Sequence, residues 1–266
     1  MNQQPYWQKQ DKPLFVDLTW NIPEQKQGII QIIGGNNQTF HTSEYIATHL
    51  QNTFPLKSVQ IILPDSLKTK LPPLENIYFM PSTTSGSFAN SKEFQSASTN
   101  AENTPVNATI LAGDFSKNSE TSIAVSKLIQ NTNTPLYLAR DIIDSVMNEV
   151  TNWIEKPNIT IIASMLQLQK LFRILYYPKM ILLSAPINQI VESLHKFTLS
   201  YPCLIVTFHA GQIIIAKNGQ VITTPIEKTT YTPISLWNGI LTANIAVLNL
   251  FNPNKPLESA SAALFY

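Results

Sequence analysis

The chain has 266 residues, enough for one large α/β domain with a substantial core and rather few for two independent domains. Charged residues make up only 13% of the chain, against roughly 25% in typical domains, and the net charge of +1 argues against a broad basic surface for nucleic acid. No apolar run reaches about 18 residues and the first residues hold no apolar signal segment, so we expect a cytoplasmic protein that does not insert into a membrane.

Short runs rich in β-branched residues alternate with helical patterns along most of the chain. The predicted strands cover residues 28–33, 58–63, 76–80, 108–112, 135–139, 158–163, 203–207, 212–216 and 220–224. The predicted helices cover residues 43–51, 120–129, 142–153, 166–175, 188–199, 236–251 and 257–264. Alternation of this kind predicts right-handed crossovers and a mostly parallel sheet covered by helices on both faces.

The alternation stops after Cys203, the only cysteine, which lies in an apolar run and is predicted to be buried. Three strands then follow one another, separated by Ala210-Gly211 and Asn218-Gly219, and the second pair is a strong hairpin signal. We therefore predict a three-layer α/β/α fold with antiparallel strands at the C-terminal edge of the sheet. One domain would span residues 1–266, with 1–22 as an N-terminal extension and 83–104 as a flexible surface loop containing a weak helix.

Three groups of residues follow predicted strand ends, the position at which open α/β sheets bind their ligands. The first is a glycine turn, residues 34–37, which begins with Gly34, Gly35 and Asn36. The second is a hydroxyl-rich loop, residues 82–87, formed by Ser82, Thr83, Thr84, Ser85, Gly86 and Ser87. The third is the pair of carboxylates Asp114 and Asp141. Because hydroxyls and glycine amides can donate to an anion, we predict an anionic ligand between the glycine turn and the hydroxyl-rich loop, close to the amides of Gly35 and Gly86.

Each group also has an interpretation without a ligand. The glycine turn can simply connect a strand to a helix, and the hydroxyl-rich loop can be a solvated segment of a chain rich in Ser and Thr. Asp141 and Asp144, three residues apart at a helix start, can stabilise the helix dipole. No histidine lies at ligand spacing from Cys203 or from another histidine, so no zinc site is expected.

Five short stretches carry a family resemblance that covers nearly the whole chain. They are IIGG at residues 32–35, AGDF at 112–115, LYLARDIID at 136–144, AGQ at 210–212 and WNG at 237–239. In this order along the chain, they resemble the carbohydrate-kinase branch of the ribokinase superfamily, and most of all the ADP/ATP-dependent NAD(P)H-hydrate dehydratases.

The resemblance implies a ribokinase-like fold and a nucleotide or dinucleotide as ligand. It further implies ATP or ADP with Mg²⁺ in catalysis, which no other feature of the sequence indicates. Ligand contacts are implied for Gly211, in the hairpin turn, and for Asn238, which stands where the family has an aspartate that handles a proton.

The chain departs from the family at four motifs. The family's Gly-Thr-Gly-Asp, whose glycine amides hold phosphate at a helix N-terminus, reads SLWN at residues 235–238. Its His-Pro-Gly-Glu reads SMLQ at residues 164–167. The lysine of its hairpin strand falls on Phe208, and the first aspartate of its Asp-Ala-Asp stretch falls on Ala139, while Asp141 keeps the second. The whole chain has only eight glycines, which leaves little for two phosphate-binding loops.

Three functions remain open on the sequence alone. The first is an active ADP/ATP-dependent NAD(P)H-hydrate dehydratase, in which phosphorylation of the hydrate precedes elimination. The second, which we favour, is a catalytically impaired relative that binds a nucleotide or a small anion. The third is a structural protein-interaction module, including a homo-oligomer, whose contact residues would be the aromatic side chains Tyr176, Tyr177, Phe265 and Tyr266. If the anion site exists, Gly86→Val is expected to abolish binding at little cost in stability.

Overall fold

Ten strands in the described residues form a single sheet. The computed structural model describes residues 5–12, 15–72, 75–97 and 105–266. The strands are β1 (Trp7–Lys9), β2 (Ile29–Gly34), β3 (Ser58–Pro64), β4 (Ile77–Met80), β5 (Ala108–Gly113), β6 (Leu136–Ala139), β7 (Ile159–Ile162), β8 (Leu204–His209), β9 (Gln212–Lys217) and β10 (Gln220–Pro225). Their spatial order is β1-β10-β9-β8-β7-β6-β5-β2-β3-β4.

Only β9 runs against the other strands of this sheet. It pairs antiparallel with β8 and with β10, whereas the seven remaining pairs of neighbours are parallel. The predicted hairpin over residues 212–224 is therefore confirmed. Because the other nine strands point the same way, their carboxyl ends meet along one edge of the sheet, which we call the carboxyl edge.

Helices cover both faces of the sheet, as the alternation predicted. They are α1 (His41–Thr53), α2 (Lys92–Ser96), α3 (Ser119–Asn131), α4 (Asp141–Val146), α5 (Met165–Ile174), α6 (Ile187–Ser200), α7 (Ile240–Phe251) and α8 (Pro256–Ala262). Buried side chains of α2 to α6 form one hydrophobic cluster with the sheet, and those of α1, α7 and α8 form a second cluster on the opposite face. The fold is thus a three-layer α/β/α sandwich with two cores.

The central strands are buried on both sides, which explains their nearly continuous apolar sequences. Every residue of β2, β5, β6 and β7 is buried. Cys203, immediately before β8, is buried as predicted, and burial raises the pKa of its thiol to about 12. Within the described ranges, no helix has both the length and the apolar character needed to cross a bilayer.

The predicted N-terminal extension contains a strand that the sequence did not reveal. β1 pairs in parallel with β10, and the Trp7 indole N–H donates to the Thr223 hydroxyl at 2.9 Å. Only three residues pair, and their sequence, WQK, shows no alternation of apolar and polar residues. The strand forms because β10 offers backbone groups for pairing, and residues 7–9 themselves carry no strand pattern. Residues 1–4 and 13–14 of the extension lie outside the described residues.

The segment predicted as a flexible loop at residues 83–104 contains α2 and two fully buried rings. Phe88 and Phe94 are both 0% exposed and stack with ring centroids 4.7 Å apart. The Ser91 hydroxyl caps α2 by accepting from the Phe94 N–H. The part of the segment up to residue 97 is therefore integrated into the core, and residues 98–104 lie outside the described residues.

Two predicted helices differ in extent from the observed ones. The helix predicted at residues 142–153 is divided into α4 and a 3₁₀ helix (Met147–Asn152), and Val146 at the boundary has non-helical backbone angles. The helix predicted at 236–251 begins only at Ile240, after a separate 3₁₀ helix (Ser235–Trp237). Gly239 between them has a left-handed φ of 96°, which interrupts the helical path.

Candidate functional site

The carboxyl edge brings together the glycine turn and both candidate carboxylates. β2, β5 and β6 are neighbours in the sheet, so the residues that follow them meet at one point of this edge. Gly34 ends β2, Asp114 follows β5, and Asp141 opens α4 after β6. The Gly35 amide donates to the Gly113 carbonyl at 3.0 Å, which ties the glycine turn to the end of β5.

Asp141 holds the turn that follows β5. Its two carboxylate oxygens accept hydrogen bonds from the backbone N–H groups of Asp114, at 3.1 Å, and Phe115, at 3.2 Å. Burial raises the pKa of Asp141, the charge of Asp114 acts in the same direction, and the backbone hydrogen bonds oppose both. This carboxylate therefore has a structural task, in which it stabilises a turn whose residue Asp114 has a positive φ of 61°.

The carboxylate and the carbonyl of Asp114 also form hydrogen bonds with other groups of this chain. One carboxylate oxygen lies 3.2 Å from the Arg140 guanidinium, and the other accepts from the Thr42 N–H at 3.3 Å in the first turn of α1. The side chain of Asn36 donates to the Asp114 carbonyl at 2.7 Å. The Asp114 side chain is only 14% exposed, so little of its surface remains for a ligand.

Arg140 is the functional candidate that the sequence analysis did not single out. Besides Asp114, it contacts the Trp237 carbonyl, to which Nη1 donates at 3.2 Å, while its Nε is buried without a hydrogen-bond partner among the described residues. Its backbone adopts a positive φ of 63°, which is uncommon for a non-glycine residue. One signal was available, since Arg140 is one of only two arginines in the sequence.

The N-terminus of α7 is closed by its own neighbours. The Asn238 side-chain oxygen accepts a hydrogen bond from the Ile240 N–H at 2.9 Å, and the preceding carbonyl, that of Trp237, is held by Arg140. The first free amide of the helix, which could otherwise contribute to an anion site, is thereby satisfied within the chain. The Gly239 backbone packs closely on α1, because an added Cβ would lie 2.6 Å from the Ile46 side chain.

Gln167, where the family has a glutamate, also supports Arg140. Its amide nitrogen donates to the Arg140 carbonyl at 2.9 Å and to Asp144 at 2.8 Å, and its side chain forms a capping box with Ser164 at the start of α5. Asp144 pairs with Lys170 at 3.4 Å as well. At two of the four departures from the resembled family, the replacing residues Asn238 and Gln167 thus form hydrogen bonds within the chain.

The hydroxyl-rich loop lies against the glycine turn. An ideal Cβ on Gly86 would lie 2.4 Å from the Asn37 Cβ, and the Lys70 ammonium donates to the Asn37 carbonyl at 2.5 Å. Asn118, the N-cap of α3, donates from its side chain to the Ser85 hydroxyl at 2.6 Å. The two segments that were predicted to face a common ligand are therefore neighbours in space.

The backbone amides of Gly35 and Gly86, near which an anion was expected, already donate to groups of this chain. The Gly86 N–H donates to the Thr83 carbonyl at 2.8 Å, and the Gly35 N–H donates to Gly113. The Ser82 amide and hydroxyl both donate to Asp65, and the Ser87 hydroxyl accepts from the Ser116 N–H at 3.3 Å. Tight turns satisfy their own donors, which a list of residue types does not reveal.

Gly86→Ala is expected to destabilise the protein by more than about 1 kcal/mol, because alanine is strained at its φ of 77° and would clash with Asn37. The expectation that Gly86→Val costs little stability is wrong for the same reason. Urea unfolding measures the effect, with Gly211→Ala as control, since Gly211 has a similar φ of 75° but no atom within 4 Å of its added Cβ. Equal losses in the two variants would show that the contact with Asn37 contributes nothing.

Gly211 does not join the network around Asp114. It lies in the turn between β8 and β9, and its carbonyl accepts from the Ile226 N–H at 3.0 Å. Its neighbours Ala210 and Gln212 line a separate cavity of about 550 Å³. Among the described residues, no cluster of three or more His, Cys, Asp or Glu side chains could hold a metal ion.

No protein-family model matches the sequence, and no curated protein matches it significantly. Solved structures do match its fold. A ribokinase-like superfamily protein from Enterococcus faecalis superimposes with a TM-score of 0.63 at 12% identity, over 98% of this chain and 86% of that one. The fold is ribokinase-like.

Two further ribokinase-like neighbours were crystallised with nucleotides. The ADP/ATP-dependent NAD(P)H-hydrate dehydratase from Bacillus subtilis, co-crystallised with ATP and Mg²⁺, gives a TM-score of 0.57 at 12% identity, over 96% of this chain and 86% of that one. The pyridoxal kinase of Bacillus subtilis, in an ADP complex, gives 0.53 at 11% identity, over 90% and 89%. At these identities the likeness shows the fold alone.

Proposed function

We propose that this ribokinase-like protein is a catalytically impaired relative of the NAD(P)H-hydrate dehydratases and small-molecule kinases that binds a nucleotide or a small anion without turning it over. The observation that carries the proposal is the closed network at the carboxyl edge. Arg140 joins Asp114 to the Trp237 carbonyl, and Asn238 satisfies the Ile240 amide. The chain's own groups occupy the place where the family resemblance implies phosphate.

The residues at this site do not fit the binding of a Mg²⁺–nucleotide for phosphoryl transfer. Mg²⁺ is usually bound through one or two carboxylates together with waters and substrate phosphates. Both oxygens of Asp141 accept backbone hydrogen bonds, and those of Asp114 are taken by Arg140 and Thr42. Asn238, in place of an aspartate, has no basicity at physiological pH. The two carboxylates are therefore already engaged in holding the fold, and Asn238 supplies no proton acceptor.

The exposed part of the hydroxyl-rich loop remains suited to an anion. Thr84 and Ser85 are exposed at its tip, and the Thr83 and Ser85 hydroxyls lie 2.8 Å apart. Lys70 places its ammonium beside the adjoining glycine turn, and two of its three N–H groups remain beyond its bond to Asn37. Two hydroxyls and one ammonium form a modest donor set, which is compatible with phosphate binding at low affinity. The neighbours crystallised with ATP and ADP support a nucleotide as its source.

Thermal-shift measurements with ATP, ADP, AMP, NAD, NADP and phosphate test this proposal. A ligand of the native state present at about 100 times its Kd adds roughly 2.7 kcal/mol of stability, which raises the melting temperature by several degrees. We expect at least one phosphate-bearing ligand to do so. Replacing Thr84 and Ser85 by alanine together with Lys70→Met should remove the shift.

The matched control replaces the exposed residues Thr151, Ser184 and Lys228, far along the chain, by alanine, alanine and methionine. Its shift should equal that of the unmodified protein. If no phosphate-bearing ligand shifts the melting temperature, or if the control abolishes the shift equally, the binding proposal is wrong.

An exposed apolar surface supports the second candidate function, a protein-interaction module. Tyr176 is 92% exposed, Met180 is 74% exposed, and Leu182 and Leu183 are each 50% exposed. Tyr177 instead packs against Phe172 and Phe197, and Tyr266 stacks on Phe54 with centroids 4.7 Å apart. Of the aromatic contact residues expected from the sequence, Tyr176 is therefore the one that stands out into solvent. Sedimentation of the protein and of a Tyr176→Ser/Met180→Ser variant tests whether this surface joins two copies.

A further inference from the structure

A second cavity, of about 350 Å³, lies at the opposite edge of the sheet from the site above. It lies where β5, β6 and β7 begin and where β9 ends, beneath the C-terminus of α7. Its volume falls in the range of about 300–1,000 Å³ typical of small-molecule sites. We call it the amino-edge cavity.

The floor of the amino-edge cavity carries polar side chains on neighbouring strands. Tyr137 on β6 and Thr160 on β7 are register partners, and Thr160 is in turn the partner of Leu204 on β8. Lys217 follows on β9, directly after Ala216, whose partner is Ile205. Tyr137 and Thr160 are 2% and 6% exposed, which is low for side chains that bear hydroxyls. Polar side chains therefore lie on three of four successive strands below α7, with Leu204 of β8 between Thr160 and Lys217.

Lys217 brings a positive charge to one end of this line. Its ammonium donates to the carbonyls of Pro202, at 3.1 Å, and Pro157, at 3.3 Å. No carboxylate of the described residues lies within ion-pair distance of it, and burial lowers its pKa. An ammonium has three N–H donors, so one remains. A partly buried charge without a counter-charge is costly, and an anionic group beside Lys217 would offset that cost.

The other side of the cavity carries hydrogen-bond acceptors and a partial negative charge instead of a positive donor. Asn249 of α7 is 9% exposed, and its side chain forms a hydrogen bond with Tyr137. Its side-chain oxygen has no hydrogen-bond partner among the described residues. Its backbone carbonyl has no helical partner either, since the residue four positions on is Pro253, which lacks an N–H. The C-terminus of a helix also carries a partial negative charge. This side of the cavity is therefore suited to a cationic N–H donor.

Apolar groups enclose the space between the two polar ends. They are the side chains of Ala108, Leu250, Pro135, Pro157, Pro253 and Pro256. From this arrangement we propose that the amino-edge cavity binds a small α-amino acid with an apolar side chain. Its carboxylate lies beside Lys217 and Thr160, its ammonium beside Asn249 and the last carbonyls of α7, and its side chain against the prolines. This site is independent of the one at the carboxyl edge.

Isothermal titration with leucine, 4-methylpentanoate and 3-methylbutylamine tests the proposal on the full chain. Leucine carries both charged groups, whereas each analogue keeps the apolar body and lacks one of them. We expect leucine to bind at least about tenfold more tightly than either analogue, because each lost charge removes a charge-assisted hydrogen bond. Undetectable leucine binding at millimolar concentration, or an analogue that binds as tightly as leucine, would overturn the proposal.

Two variants locate the site. Lys217→Met and Asn249→Leu each keep most of the side-chain volume while removing one polar end, and each should weaken leucine binding about tenfold or more. The control is Lys196→Met, an exposed lysine on α6 that pairs with Glu192 at 2.7 Å, and its affinity should be unchanged. If Lys217→Met fails to fold, Asn249→Leu and the ligand series still test whether the amino-edge cavity binds an amino acid. Unchanged affinity in a folded Asn249→Leu variant would contradict the assignment.

Discussion

Supplied with NADH hydrate and either ADP or ATP, the purified protein will restore NADH absorbance about 10²–10⁴-fold more slowly than the Bacillus subtilis dehydratase under the same conditions, or not at all. The physical reason is that a positioned acid or base contributes typically 10²–10⁴-fold, and Asn238 supplies neither. The bonds of Arg140 to Asp114 and to the Trp237 carbonyl also hold the α7 N-terminus in a closed arrangement.

The variant Asn238→Asp distinguishes the missing acid or base from the closed α7 N-terminus as the cause of the low rate. It restores a carboxylate, yet we expect no measurable gain in rate, because the new side chain would still accept the Ile240 hydrogen bond and Arg140 would still fill the space beside it. The absorbance assay at 340 nm and a phosphate-release assay with ATP provide the two readouts. A rate comparable to that of the Bacillus subtilis enzyme in the unmodified chain would show that its active site lies elsewhere.

Replacing Phe94 by alanine will lower the free energy of unfolding by about 3–5 kcal/mol. The ring is fully buried and stacks on Phe88, so its loss leaves a cavity beneath α2. Urea unfolding followed by circular dichroism measures the change. An effect of this size is a large part of the stability of an ordinary domain.

The matched control is Phe94→Leu, which keeps an apolar side chain of comparable size and should cost less than about 1.5 kcal/mol. Tyr176→Ala, at a 92% exposed position, should change stability by no more than about 0.5 kcal/mol. If Phe94→Ala were as mild as Tyr176→Ala, the segment around α2 would be a detached surface loop, as its composition suggested.

Sequence patterns predicted the sheet well because its central strands are buried on both faces. Runs such as IIQII in β2 and ITII in β7 are short and rich in β-branched residues, which favours a strand over a helix. α2 was underestimated because the Ser, Thr and Asn residues around it dominate the local composition. Its anchoring depends on two aromatic residues, Phe88 and Phe94, whose burial is set by distant parts of the chain.

Several candidate residues meet at one edge of the sheet, but their hydrogen-bond partners could not be predicted from the sequence. Strand order alone brings the glycine turn, Asp114 and Asp141 together. The alternation of elements predicted a mostly parallel sheet but not that order. Whether a carboxylate or amide is free depends on which neighbour reaches it. Arg140 reaches Asp114 and Trp237 from a backbone conformation that few residues adopt, and no residue pattern encodes such a contact.

The pairing of β1 with β10 has a consequence for the order in which the protein is made. The Trp7 indole and the Thr223 hydroxyl that it contacts are 216 residues apart in the chain. At a synthesis rate of roughly 5–20 residues per second, about 10–40 s separate the two on the ribosome. During that time the first strand has no partner, and the sheet must assemble from β2 onward without it. Its arrival then covers the open backbone of β10, so that β1, which is synthesised before the other nine strands, joins the sheet last.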